Sequence, residues 1–164
     1  MHVPAAWQDR LMVNLFEAEF QYDDEDPEGY RCGAAFVGRD AGGTANAVKL
    51  YQIPPGQSLC PYHYEYEEEW LLVLDGDLVL RTPEDEQMIG RGALVCFPAG
   101  PDGAHKLTNR AGAPAHVLMF SSAREPAVAV YPDSDKIGVF PPDARDRLMV
   151  RRANGQEDYY AGEV

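Results

Sequence analysis

Apolar residues in this chain fall in short runs of strand length, and nearly every run is closed by residues that bend the backbone. Runs at 34–37, 47–53, 59–66, 69–74, 78–82, 87–89, 93–97, 105–109 and 116–121 read as strands. Between them stand Pro54-Pro-Gly56, Asp75-Gly-Asp77, Pro83-Glu-Asp85, Gly90-Arg-Gly92, Pro101-Asp-Gly103 and Ala111-Gly-Ala-Pro114. Proline presets one turn dihedral and glycine admits the left-handed one, so these groups reverse the chain tightly. Many short strands at regular spacing predict an all-β fold, an antiparallel sandwich or barrel. Helical periodicity is weak. Only 5–13 and 143–150 are expected to form a few helical turns.

A chain of 164 residues fits one domain. The compact core is expected at about 48–122, with flanking segments 1–47 and 123–164 that wrap the core or a dimer partner. The first flank carries an acidic loop at 21–30; the second carries Pro126, Pro132 and Pro141-Pro142. No apolar run approaches roughly 18 residues, and the N-terminus shows no basic stretch followed by an apolar core, so a soluble cytoplasmic protein is expected. The formal net charge of -13 argues against nucleic acid and against anionic membrane surfaces as partners. Cys32, Cys60 and Cys96 form neither a zinc pattern nor a disulfide framework. Cys96, inside the apolar run 93–97, is expected to be buried.

Candidate chemistry is concentrated in the stretch from Cys60 to Trp70 and at His105. Alternate residues of a strand share a face, so His63 and Glu65 project together, while Tyr62, Tyr64 and Tyr66 project to the opposite face and pack against the flanking segments. Glu69 supplies a further carboxylate, and His105 is available from a distant strand. Such a set is a candidate four-ligand metal site. A buried His–Glu hydrogen-bonded pair without metal is the competing reading. His2 and His116 stand apart from it, and substrate contact is expected from Phe97, Lys106 or Met119.

These residues also stand in a recognisable order. Gly56, His63, Glu65, Glu69 and Gly76 are followed by Gly92, Pro98-Ala-Gly100, His105 and Asn109. The order resembles the two motifs of the cupin superfamily, in which a His-x-His pair, a glutamate and a later histidine hold a divalent metal. Counting back from Gly76 places Glu69 on the motif glutamate and His63 on the first histidine. Glu65 replaces the second histidine, one extra residue precedes His63, and two extra residues within Pro101–Ala104 precede His105. The insertions fall in turns, where sheets tolerate them.

The resemblance implies a double-stranded β-helix, or jelly-roll barrel, with extended N- and C-terminal segments. It also implies a homodimer and a small-molecule ligand in the barrel. His63, Glu65, Glu69 and His105 would hold one divalent transition metal, with the oxygen donors favouring manganese or iron and leaving zinc open. Asn109 reads as a turn residue or a support behind the ligands rather than as a ligand. Dioxygenation, isomerisation and decarboxylation of a small oxygenated substrate all fit such a site. A metal-free module that binds or senses a small ligand without catalysis is the alternative.

Overall fold

A computed structural model describes residues 12–155, 158 and 160–162. The helix expected at 5–13 lies almost wholly outside them. The described strands are β1 (Gly33–Ala35), β2 (Asn46–Ile53), β3 (Tyr64–Glu65), β4 (Glu69–Asp75), β5 (Asp77–Arg81), β6 (Glu86–Gly90), β7 (Leu94–Phe97), β8 (Lys106–Thr108), β9 (Ala115–Ser122), β10 (Ala127–Tyr131), β11 (Lys136–Phe140) and β12 (Leu148–Arg151). They form a five-stranded sheet in the order β1-β2-β9-β4-β7, a four-stranded sheet β12-β11-β10-β3 and a three-stranded sheet β6-β5-β8. All the pairings are antiparallel. The sheets do not close into one continuous ladder. Isolated bridges, Ser58 to Thr108 and His63 to His105, stitch the three-stranded sheet to the segment entering β3.

The main core lies between the five-stranded and three-stranded sheets. Ile53, Leu71, Val73, Phe97 and Val117 of the first meet Leu78, Leu80 and Leu107 of the second. Burial of these side chains is the driving force, at about 1.5–3 kcal/mol for each fully buried large aliphatic. A second, outer layer forms where Val13, Leu15, Ala18 and Phe20 of the N-terminal flank cover Ala35, Val37 and Leu50. Tyr62 and Tyr64 pack with Val130 and Ile137 of the C-terminal flank, as strand parity predicts, whereas Tyr66, expected to join them, is exposed.

Four expectations need correction. The run 59–66 is a strand only at Tyr64–Glu65, because Pro61 lacks an N–H for the ladder and the chain there makes bends and single bridges. The stretch 143–150 is not a helix: a short 3-10 turn at Ala144–Asp146 leads into β12, whose residues pair with β11 from Val139 to Lys136. The C-terminal flank contributes three strands that its proline-rich composition concealed. Cys96 is exposed, because β7 is the edge of its sheet and Cys96 occupies its outer face, opposite Trp70. Among the described residues no helix is long and apolar enough to cross a membrane.

Candidate metal centre

His63 and His105 reach the same point from neighbouring backbones. Each donates its amide to the other's carbonyl, at 3.1 Å (His63 N–H to His105 O) and 2.8 Å (His105 N–H to His63 O). Glu69 comes from the facing sheet, at the start of β4, where it pairs with Phe97 and Ser121. One ligand atom from each of His63, Glu69 and His105 lies within 4.8 Å of the other two. The Glu69 Oε2 atom stands 3.9 Å from Nε2 of His63 and 3.8 Å from Nε2 of His105. These distances exceed a hydrogen bond. Two atoms bound to one ion at about 2.1 Å lie no more than about 4.2 Å apart, so both spacings suit a shared cation.

The imidazoles are set for that role by their far nitrogens. Nδ1 of His63 lies 2.9 Å from the carbonyl oxygen of Pro61, and Nδ1 of His105 lies 2.9 Å from that of Gly103. A carbonyl only accepts, so each Nδ1 carries the proton and each Nε2 keeps its lone pair toward Glu69. The ring of Phe97 stacks on His105 with centroids 3.6 Å apart, and Tyr131 lies over His63 at 5.9 Å. The loop before His105 is held by close contact, since a Cβ on Gly103 would fall 1.8 Å from the carbonyl oxygen of Pro98.

Electrostatics agree with the geometry. Burial lowers the pKa of His63, and it lowers that of His105 to about 3, with His63 adding to the effect. Both rings are therefore neutral donors at physiological pH. Burial first and then Glu65, against the opposing effect of Lys49, push the Glu69 carboxyl up to about 8. A carboxylate so poorly solvated is stabilised by a cation.

Glu65 lines the same cavity of about 460 Å³ but is not one of the three clustered residues. Its carboxyl is also raised by burial. Cys60 lines the cavity outside the cluster, and burial pushes its thiol up to about 12. Lys106 and Met119 line the cavity, whereas Phe97 forms the wall behind His105. Asn109 is fully buried and ties the turn, donating to the carbonyls of Ile53 and Ala113 and accepting from the amide of Ala111. His116 sits on β9 beside Gln52, away from the cavity. Sequence reasoning missed Lys49, Arg124, Tyr131 and Arg147. Only Lys49 carried a signal, as a lysine sharing strand parity with Tyr51, another cavity residue.

Comparisons with known proteins follow the same lines. Residues 49–121 match the family model described as a cupin domain. A candidate sugar phosphate isomerase of Acidithiobacillus ferrooxidans superposes with a TM-score of 0.79 over 91% of this chain and 97% of that one, at 22% identity. A sugar phosphate isomerase of the cupin superfamily from Silicibacter pomeroyi gives 0.75 over 90% and 97%, at 25% identity. The tetracenomycin polyketide synthase protein TcmJ of Streptomyces glaucescens is 25% identical over 85 residues, which are 52% of this chain and 56% of that protein. The chain thus spans about half the length of that curated relative.

Proposed function

Since the chain belongs to the cupin superfamily, we propose that it is a metal-dependent enzyme acting on a small oxygenated substrate, with isomerisation the reaction the site suits best. The observation that carries this reading is the convergence of two Nε2 lone pairs and the Glu69 carboxylate on one point inside a cavity. His63, Glu69 and His105 would hold the ion, leaving positions open for substrate. When bound, a divalent manganese, iron or zinc ion supplies Lewis-acid polarisation of a substrate oxygen. Glu65, in the cavity and outside the three-residue cluster, is placed to accept a proton from a substrate carbon and return it to the neighbouring one. Tyr131 and Phe97 hold the two imidazoles in place. The Silicibacter pomeroyi protein supports isomerisation over decarboxylation, because it resembles this chain over nearly its whole described length. The proposal retains a homodimer, for which the exposed Leu94 and the stacked Trp70–Phe120 pair on the outer face of the five-stranded sheet supply apolar surface.

Elemental analysis of protein purified without a chelating tag tests the reading, with His105→Ala and Glu65→Ala beside it. Expected are about one ion per wild-type chain, loss of the ion in His105→Ala, and an ion retained in Glu65→Ala with loss of aldose–ketose interconversion. Wild-type protein that takes up no manganese, iron or zinc would refute the metal role. Loss of the ion in Glu65→Ala would make Glu65 a ligand.

A further inference from the structure

The cavity is lined by two groups of residues from different parts of the chain. His63, Glu69 and His105 gather at one place, and the residues following β9 contribute Arg124, Pro141, Pro142 and Arg147 to the same lining. None of those four lies within the matched residues 49–121. Arg124 is largely exposed and approaches Glu67 only to 3.9 Å, while Glu67 is also engaged by the hydroxyl of Ser122. Arg147 forms no ion pair or side-chain hydrogen bond among the described residues. Lys49 lies on the wall, half-buried, without an ion pair among the described residues, its ammonium 5.6 Å from the ring centroid of Phe36.

Charge counting gives this arrangement a direction. The lining carries Lys49, Lys106, Arg124 and Arg147 against Glu65, Glu67, Glu69 and Glu125. Four cations balance four carboxylates, so a divalent ion leaves the cavity with an excess of two positive charges, in a chain whose formal net charge is -13. A cleft with a positive excess on a protein of acidic net charge focuses anions toward itself. Guanidinium groups also match the planar, two-oxygen face of a phosphate or carboxylate.

We infer that the substrate is an anion, and that Arg124 and Arg147, backed by Lys49, hold its phosphate or carboxylate group while its oxygenated carbons lie toward His63, Glu69 and His105. The inference rests on the metal-dependent reading above. Arg124 and Arg147 are specificity-determining residues in it and take no part in proton transfer.

The test uses the full chain loaded with manganese, its metal content measured first, and inorganic phosphate as the probe in a calorimetric titration. Wild type is compared with the double variant Arg124→Gln/Arg147→Gln, with Lys49→Met, and with Arg145→Gln as a control. Arg145 is exposed, paired with Asp143 and outside the cavity lining. Phosphate binding is expected to weaken by about tenfold or more in the double variant, as for loss of a charge-assisted contact, and by a smaller factor in Lys49→Met. Arg145→Gln should bind as wild type. Equal phosphate affinity in all four loaded proteins, lost only on chelation, would place the anion on the metal alone and overturn the inference while sparing the metal reading. Absence of phosphate binding by loaded wild type would also overturn it. Failure to load manganese, iron or zinc would be seen before phosphate is added and would remove the charge excess on which the inference depends.

Discussion

Glu69→Gln separates what the site does for function from what it costs the fold. The Glu69 side chain is only 15% exposed, and its carboxyl is pushed from 4.5 to about 8, first by burial and then by Glu65. In the unfolded chain the same group loses its proton near 4.5. Between those values the native state holds a proton that the unfolded state lacks, so stability falls as pH rises, by about 1.4 kcal/mol per pH unit. The metal-free protein should therefore lose roughly 3 kcal/mol by pH 7 and roughly 5 kcal/mol above pH 8 through this residue alone. Against a typical total of about 5–15 kcal/mol, that is a large fraction. Glutamine keeps the volume and removes the titration. Urea unfolding of chelator-treated wild type and Glu69→Gln across pH 4.5–9 should give curves that coincide at the acid end and diverge as pH rises, with the variant the more stable. Saturating manganese at about a thousand times its dissociation constant should return about 4 kcal/mol to the wild type and nothing to the variant, reversing their order near pH 7. Parallel stability curves, or a variant less stable than wild type at pH 8 without metal, would refute the reasoning.

Two further substitutions probe the frame around the ligands. Gly103→Ala brings a Cβ to within 1.8 Å of the Pro98 oxygen, so the loop carrying the acceptor for His105 Nδ1 must move. Manganese affinity should fall by about tenfold although no ligand has changed, and a titration showing wild-type affinity would count against the loop as the orienting element. Asn109→Ala removes three hydrogen bonds to backbone groups, one buried and two part-buried, which should cost roughly 3 kcal/mol and about 6–12 °C of melting temperature. Metal per folded molecule should stay the same, so loss of metal below the melting transition would contradict Asn109's role as a turn residue.

Legibility in the sequence followed the range of the interactions involved. Strands β2, β4, β5, β7 and β9 were visible because apolar runs and turn residues are local signals. His63, Glu69 and His105 were visible because motif spacing survived two loop insertions. The parity of Tyr62 and Tyr64 against His63 was readable from the two-residue repeat alone. Strand β12 was not readable: Leu148–Arg151 follows residues that suit a helical turn, and only pairing with Lys136–Val139 makes it extended. The contributions of Tyr131, Arg124 and Arg147 were hidden for the same reason, since only the folding of the C-terminal flank brings Tyr131 against His63 and the two arginines to the cavity.

Glu65 shows how far that hidden flank reaches into the chemistry. Its backbone is pinned on both sides by segments other than the core sheets. Ala129 of β10 pairs with it, and its carbonyl accepts from the amide of Gly100 at 2.7 Å. Residue 129 lies beyond the matched stretch 49–121, so the position of the side chain that replaces the family's second histidine depends on the C-terminal hairpin. The choice has an electrostatic consequence. With Glu65 on the ion, two carboxylates cancel a divalent charge and one open coordination position is lost. With Glu65 free, the ion keeps a positive charge toward substrate and a base stands beside it. Burial raises the pKa of both glutamates, and Lys49, on β2 of the sheet that also carries Glu69, opposes that shift in each. The same hairpin and the strand after it supply Tyr131, Phe140 and the segment leading to Arg147. The hairpin thus sets the ring over His63 and the register of Glu65, while Arg124 precedes it and Arg147 follows it in the same flank.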